Sequence, residues 1–407
     1  MAAALSDDTP ASNSYQAFFK RCIVRQSGLV LARVGQTGPL LPDDMLKQAL
    51  LILGFALDLA EAWPNARGLL LQMAPKMEQA GFRDEWIPYL ERGIYQSQQL
   101  GDLEAEAELQ LQMGILCQLR NKYGEARRQL EASVRQFERL NAPHNRARAL
   151  NRLAYVARFQ RQFEEAAILV ETACRLLEKD DPEWAYGYFV LGLIALDRRN
   201  WSEAVNFSKR AFDLWEQKND QRMMGRCLIT VGAALPSLKK YQEALTVCQQ
   251  AIALFEETED PVYQAIAQMH LGNVHLFLAQ PLEALELYLP AERIFRQIQE
   301  QLRLSQLYNN IGIAYRQLRQ WEKSEQAYLS SIKQYGELGN IVLRVDAMDG
   351  LGLVYLGQGH LLKAIATFKE ALSQLEHVKG EPGYNHLLEV VTTHLREASA
   401  QPGNKNE

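Results

Sequence analysis

Arginine and aromatic side chains recur one helical turn apart in the segment around residue 150. Arg148 and Arg152 are four residues apart, and Tyr155 and Phe159 follow at the same helical spacing. Residues three or four apart lie on one face of a helix. A planar guanidinium beside an aromatic ring suits a carboxylate, a phosphate or an acidic peptide. The pattern predicts a binding surface for an anionic partner.

The same arginines belong to a strongly basic segment, residues 120–161, which we call the basic belt. It contains eleven Arg or Lys and three Glu, although the whole chain has a formal net charge of −5. Two interpretations are open: the belt binds an acidic partner, or its arginines pair with glutamates of neighbouring helices. If it binds, changing Arg148 and Arg152 to Glu should abolish binding with little loss of stability. A nucleic-acid ligand is disfavoured because the chain as a whole is acidic.

The sequence shows none of the short motifs that mark enzymes or cofactor sites. A phosphate-binding glycine loop, an HExxH motif and a nucleophile elbow are all absent. His270 and His275 are five residues apart, which places them on different faces of a helix and not in one metal site. We therefore predict a non-enzymatic protein without a cofactor or a metal.

The composition is that of a folded protein in a reducing compartment. Hydrophobic residues make up 47% and charged residues 23% of the 407 residues. No run of about 18 apolar residues is present, and the N terminus lacks the features of a secretory signal. The five cysteines show no paired spacing. These features predict a cytoplasmic protein without a membrane partner.

A small residue recurs in the middle of seven helical patterns, at a spacing of 40 residues with one interval of 38. Another small residue follows each of them after twelve positions. Two helices approach closely only where neither has a large side chain, so this pattern predicts a first helix (helix A) crossing a second (helix B) in every repeat. The seven positions are Gly114, Ala154, Gly192, Gly232, Gly272, Gly312 and Gly352.

These positions resemble the tetratricopeptide repeat family. The match is closest at Ile311, Gly312, Tyr315, Trp321, Ser324 and Tyr328. The common unit of that family has about 34 residues; the longer period found here is similar to that of kinesin light chain, the Pins-type polarity adaptors and the bacterial Rap-type receptors. The resemblance implies an all-α, right-handed α-solenoid of tandem helix-turn-helix units, with about eight repeats over residues 65–378.

The segments outside the array carry separate predictions. Residues 14–64 are expected to form an N-terminal helical cap or a small helical domain, and residues 379–399 a C-terminal solvating helix, because the last repeat needs a polar outer face. Residues 1–13 and 400–407 are expected to be disordered.

In the tetratricopeptide repeat family helix A lines a concave groove, which implies where a partner would bind. Asparagine amides there would hold the backbone of an extended peptide. For the apolar members of the groove, packing on a neighbouring helix is the alternative. In the belt the predicted binding residues are Arg148, Asn151, Arg152, Tyr155, Arg158 and Phe159. Farther along the chain they are Tyr186, Phe189, Met269, His270, Asn273, Asn309, Asn310 and Arg316.

One binding mode of the family is not expected. Its carboxylate-clamp members use basic residues on helix A to hold a C-terminal carboxylate. Here Met269, Asp346 and Gly350 occupy the basic positions. The sequence therefore does not predict a chaperone-tail clamp.

The leading functional hypothesis is a scaffold or adaptor that captures a peptide or protein segment, which would be acidic if the belt binds it. The alternative is a regulatory peptide-sensing receptor, in which the N-terminal helices act as the output module.

Overall fold

Helices make up every regular element of the computed structural model. It describes residues 10–38, 40–179, 181–381 and 383–400, and this part of the chain contains no strand. The chain divides into two compact units, an N-terminal unit that ends at Leu191 and a C-terminal unit that begins at Gly192. The predicted all-α class is confirmed.

In the N-terminal unit two leading helices precede the A–B pairs. The leading helices are α1 (Pro10–Gly35) and α2 (Asp43–Ala56). The pairs are α3 (Trp63–Ala80) with α4 (Arg83–Leu100), α5 (Leu103–Leu119) with α6 (Tyr123–Arg139), and α7 (Pro143–Phe159) with α8 (Phe163–Leu176). The next helix, α9 (Trp184–Asp197), contains the boundary between the units. Because α1 begins at Pro10, the last residues of the segment predicted to be disordered are helical; residues 1–9 and 401–407 lie outside the described part.

The C-terminal unit continues the same alternation of helix A and helix B. Its helices are α10 (Trp201–Gln217), α11 (Gln221–Ala234), α12 (Tyr241–Glu257), α13 (Pro261–Phe277), α14 (Pro281–Gln297), α15 (Gln301–Gln317), α16 (Trp321–Glu337), α17 (Ile341–Gln358), α18 (Leu361–Leu375) and α19 (Tyr384–Ala400). Consecutive helices from α10 to α19 pack on each other. The predicted 40-residue succession of helix pairs, the repeat architecture of an α-solenoid, is confirmed.

The helix boundaries recur because the same turn chemistry recurs. Asn121 ends its turn with a positive φ of 59°, and the following Lys122 N–H donates back to the carbonyl of Cys117 at 2.9 Å. Such a left-handed residue satisfies the last carbonyls of a helix. The next helix A is then capped by a side chain that accepts a bond from the backbone N–H three residues later. These caps are Asp102, Asp220, Asp260 and Asn340.

The small residues mark the crossings of helix A on helix B, as predicted. A Cβ atom at Gly114 would lie 2.5 Å from Cγ of Leu130, and one at Gly272 would lie 2.4 Å from the ring of Tyr288. Both distances are far shorter than a van der Waals contact. The backbone of helix A therefore packs directly against side chains of helix B at these positions. The crossing sets the pairing of every repeat in which it occurs.

Helices A also pack on one another within each unit. In the N-terminal unit α5 contacts α3 and α7, and in the C-terminal unit α11, α13, α15, α17 and α19 contact one another in turn. The odd-numbered helices therefore form a continuous layer in each unit. Because successive helices of this layer contact one another, we infer that the layer forms the inner side of the unit.

We expect Gly114→Ala to lower the free energy of unfolding by about 1–3 kcal/mol, because the added methyl group overpacks the crossing against Leu130. The matched control is Gly124→Ala in the same repeat, where a Cβ atom meets nothing within 4 Å. That change should be neutral or stabilise by up to about 1 kcal/mol. Urea denaturation of both variants measures the difference, and equal stabilities would contradict the role given to the crossing.

Candidate functional site

Four of the ten arginines of the basic belt form ion pairs with acids of neighbouring helices in the N-terminal unit. Arg148 on α7 donates from Nη1 and Nη2 to the two carboxylate oxygens of Glu108 on α5, at 3.1 and 3.2 Å. Further pairs are Arg120–Asp84, Arg127–Glu165 and Arg146–Glu138, at 2.6 to 2.8 Å. These contacts agree with the interpretation in which the belt holds adjacent helices together.

Asn151 and Arg152 also face inward onto the start of α9. Asn151 is fully buried and donates from Nδ2 to Glu183 Oε1 at 2.9 Å. The guanidinium of Arg152 lies 3.6 Å from the ring centroid of Tyr186. Loss of solvation raises the pKa of the buried Glu183, and the positive charge of Arg152 opposes that rise. The buried Asn151, predicted to contact a partner, therefore contacts the chain itself.

The aromatic residues of the belt form one internal cluster. Phe159 stacks on Tyr123 of α6 at 5.0 Å between centroids and meets Tyr155 edge-on at 5.2 Å. Arg158 covers this cluster, with its guanidinium 4.8 Å from the Phe159 centroid. Tyr155 is 9% exposed. A partner could reach only the rim of the cluster.

Three apolar residues predicted to line the groove are buried, and this expectation of accessibility is wrong. Tyr186, Phe189 and Met269 are 1%, 2% and 2% exposed. Tyr186 and Phe189 pack beside Tyr155 on α7, at 6.4 and 6.2 Å between centroids. The physical reason is the layer of odd-numbered helices: one face of each helix A is covered by the next helix A, and large apolar side chains occupy that face.

The polar residues predicted farther along remain partly open on the inner layer of the C-terminal unit. His270 and Asn273 lie on α13, and Asn309, Asn310 and Arg316 lie on α15, all intermediate in exposure. We call the surface lined by the open side chains of α13, α15 and α17 the C-terminal groove. Burial, followed by the charge of Arg303, lowers the pKa of His270 to about 3, so this imidazole is neutral at physiological pH.

The three asparagines of this groove keep unused hydrogen-bonding groups. Asn273 accepts a bond from the Tyr288 hydroxyl at 2.7 Å, which leaves its amide N–H groups available. Asn309 donates to Asp346 Oδ2 at 3.3 Å, while its Oδ1 is buried without a partner. The Asn310 amide makes no hydrogen bond to the described residues. An incoming backbone can use the amides of Asn273 and Asn310, whereas the Asn309 Oδ1 is covered by the protein.

The sequence did not assign a binding role to an acidic pair on α17, Asp346 and Asp349. Asp346 is exposed, whereas Asp349 is buried. Desolvation by nearby protein atoms, followed by the charge of Asp349, raises the pKa of Asp346 to about 6, and burial raises the pKa of Asp349. The sequence did contain one indication of this pair, because Asp346 occupies a position where carboxylate-clamp proteins have a basic residue. Arg199, in the turn after α9, lies close enough to lower the pKa of both Asp346 and His386 on α19.

The described ranges hold no group of three or more His, Cys, Asp or Glu that could bind a metal ion. In the same residues no helix is long and apolar enough to cross a membrane. A cleft of about 490 Å³ lies between α4 and α6 of the N-terminal unit, where Arg120, Lys122 and Arg128 alternate with Glu91 and Glu125. Its charges nearly balance, so it selects no class of ligand.

We expect the double change Arg148→Gln with Arg152→Gln to lower the free energy of unfolding by about 1–3 kcal/mol, because Glu108 and the buried Glu183 lose cationic neighbours. This reverses the expectation from sequence, in which the belt contributes little to stability. The control is Arg135→Gln with Arg139→Gln on the exposed face of α6, which should change stability by less than about 0.5 kcal/mol. Thermal and urea denaturation compare the stabilities of the two double variants. If the change at Arg148 and Arg152 also leaves the stability unaltered, the arginines of the belt are available to bind a partner.

Comparison with known proteins finds one repeat family in two segments of the chain and similar folds among solved structures. The Tetratricopeptide repeat pattern matches residues 85–179 and 303–377. No curated protein sequence matches the chain. Many solved structures share the fold, and three of them are described next.

The solved structures resemble this chain in fold at low sequence identity. A Rap protein complexed with competence and sporulation factor has 14% identity and a TM-score of 0.55, over 87% of this chain and 100% of that one. NprR in complex with its cognate peptide NprX has 13% identity and a TM-score of 0.56, over 73% of this chain and 85% of that one.

A third similar structure is longer than this chain. It is a signal transduction ATPase with numerous domains and a tetratricopeptide repeat sensor, from Pyrococcus horikoshii, with 16% identity and a TM-score of 0.59. The alignment covers 93% of this chain and 54% of that protein, so the chain spans about half its length. Residues 85–179 and 303–377 thus match the tetratricopeptide repeat pattern, and the helix pairs of the chain repeat with a 40-residue period in a fold similar to that of Rap and NprR.

Proposed function

We propose that this chain is a non-enzymatic, cytoplasmic adaptor or scaffold whose C-terminal groove captures an extended segment of a peptide or partner protein. The observation that carries the proposal is the set of open amides on α13 and α15. Asn310 has neither of its amide groups bonded to the described residues, and Asn273 and Asn309 each keep one group unused. A side-chain amide can donate to a carbonyl and accept from an N–H of the same backbone.

The rest of the groove suits a bound segment of mixed character. His270 is neutral and supplies one donor and one acceptor, whereas Arg316 and Asp346 supply charges of opposite sign. Polar side chains in a concavity hold a ligand in one register. The Rap and NprR structures named above were solved with a factor and a peptide bound; the likeness in fold supports the same kind of ligand here.

The basic belt plays a smaller part in this proposal than the sequence suggested. Several of its arginines are engaged with acids and rings of their own unit, which leaves fewer charges for an acidic partner. The same engagement weakens the case for nucleic acid. We assign the belt to helix–helix packing and the capture of a partner to the C-terminal groove.

A second candidate function is a peptide-sensing receptor whose N-terminal helices contact an output partner. The specific observation is an exposed apolar face on α1 and α2. Tyr15, Phe19, Leu51 and Phe55 are 76%, 49%, 61% and 43% exposed, and the rings of Phe19 and Phe55 meet at 5.9 Å. Clustered exposed aromatics mark interaction surfaces. In this alternative residues 14–64 form a separate functional domain and not only a cap.

Selection of a phage-displayed random dodecapeptide library on the full chain tests the leading proposal. A recovered peptide, measured by fluorescence anisotropy, should bind Asn310→Ala about tenfold more weakly, because two amide hydrogen bonds of about 0.5–1.5 kcal/mol are lost. Asn206→Ala, on an exposed part of α10, is the matched control and should bind like the parent. Failure to recover peptides, or peptides that ignore Asn310, would overturn the assignment of the groove.

A further inference from the structure

The leading helices α1 and α2, which pack on each other, present a continuous apolar surface to solvent. Phe18 on α1 and Leu51 on α2 are each 61% exposed, and Tyr15 is 76% exposed. Single exposed apolar residues are ordinary, whereas a group on two adjacent helices marks a contact with a protein or a membrane. We call this surface the leading-helix face. Its apolar residues are Tyr15, Phe18, Phe19, Leu29, Leu51 and Phe55.

The leading-helix face is positively charged. The helix α1 contains four basic residues and no Asp or Glu. Lys20 is paired with Glu61 of the segment before α3, at 3.0 Å, but most cations of the face have no such partner. The exposed cations without an ion pair in the described residues are Arg21, Arg25, Arg33 and Lys47. Unpaired charges of one sign attract an occupant of the opposite sign.

The cations and the apolar residues share this surface. Arg25 lies one helical turn before Leu29 on α1, and Lys47 lies one turn before Leu51 on α2. The two acids of α2 stand in its first turn, about 18 Å along the helix axis from Phe55. The apolar patch is therefore bordered by arginine and lysine, and an occupant must be both anionic and apolar.

The shape of the face favours a broad surface over a helix of a partner protein. The rings of Phe19 and Phe55 meet edge-on across α1 and α2, with 5.9 Å between their centroids. They fill the furrow between the two helices, in which a partner helix would otherwise lie. A second copy of the chain also fits poorly, because a two-fold contact places the same cations opposite each other. A bilayer needs no groove, since its headgroup layer accepts protruding rings.

We propose that the leading-helix face docks on the surface of a lipid bilayer that contains anionic lipids. The exposed rings enter the boundary between headgroups and acyl chains, and the arginines contact lipid phosphates. No described helix is long and apolar enough to cross a membrane, so α1 and α2 lie along the surface. The inference departs from the expectation of no membrane partner. It does not depend on peptide capture, and it gives this face a lipid occupant in place of an output protein.

Sedimentation of the full chain with sucrose-loaded vesicles tests the docking. One set of vesicles is phosphatidylcholine with about 30% phosphatidylserine, and the other is phosphatidylcholine alone. We expect the partition coefficient to be about tenfold higher on the anionic vesicles, because their surface attracts the unpaired cations. It should fall as the salt concentration rises, because exposed charges are screened.

The apolar part of the face is tested by Phe18→Gln with Leu51→Gln. This double change should lower the partition coefficient on anionic vesicles about tenfold, because two apolar side chains no longer enter the bilayer. The matched control is Tyr95→Gln with Ile168→Gln, at two residues of the same unit that are each 62% exposed. The control should bind like the parent, and far-UV circular dichroism checks that both variants fold.

The cationic part is tested by Arg21→Gln with Arg25→Gln. Binding to anionic vesicles should fall to about the level measured on phosphatidylcholine, because the attraction to lipid phosphates is lost. The matched control is Arg135→Gln with Arg139→Gln on the exposed face of α6, which removes the same charge from another surface. It should retain the preference of the parent for anionic vesicles.

Three results would overturn the lipid contact: no binding to phosphatidylserine vesicles, equal binding to both sets, or full binding by the variants of α1 and α2. Sedimentation equilibrium without lipid identifies a competing occupant. Self-association of the parent that the change at Phe18 and Leu51 abolishes, with no vesicle binding, would assign the face to a second copy. Because no peptide takes part, each of these results leaves the proposed capture by the C-terminal groove to its own test.

Discussion

The close approach of helix A to helix B is the contact on which the rest of this structure depends. It requires a residue without a large side chain at the centre of helix A, where Gly114 meets Leu130 and Gly352 meets Phe368. Because the contact recurs along the chain, each pair is fixed in the same way, and stacked neighbours complete a core that no pair could form alone. The crossing constrains only the face of helix A that meets helix B. The side chains on the other faces of helix A can therefore vary independently of it.

Those other faces explain which predicted residues are available for binding. One face of helix A packs on its own helix B, and a second packs on the helix A of adjacent repeats, where Tyr186, Phe189 and Met269 are buried. Only the third, inner face is open, and it carries Asn273, Asn309 and Asn310. Apolar character therefore identifies the packing faces of such a repeat, while polar residues that interrupt the apolar pattern identify the groove.

Sequence reasoning recovered the fold almost completely because its signals are local and repeated. The spacing of small residues gave the pairs, and caps such as Asp260 before Pro261 gave helix starts. The site was recovered in part, since identity and helical offset locate an amide such as Asn310. The partners of Arg148 and the isolation of Asp346 were not predictable, because both depend on helices about 40 residues away along the chain. Charge in the sequence does not reveal whether a counter-charge lies on the next repeat.

The two units differ in how the charged side chains of their helices are used. In the N-terminal unit four arginines of the basic belt are met by acids across helix boundaries, so part of the belt's charge is used in packing. In the C-terminal unit Asp346 is exposed on α17 and forms no ion pair within the described residues, while desolvation by nearby protein atoms and the charge of Asp349 raise its pKa to about 6. Paired charges add specificity to folding, whereas an unpaired one opposes it.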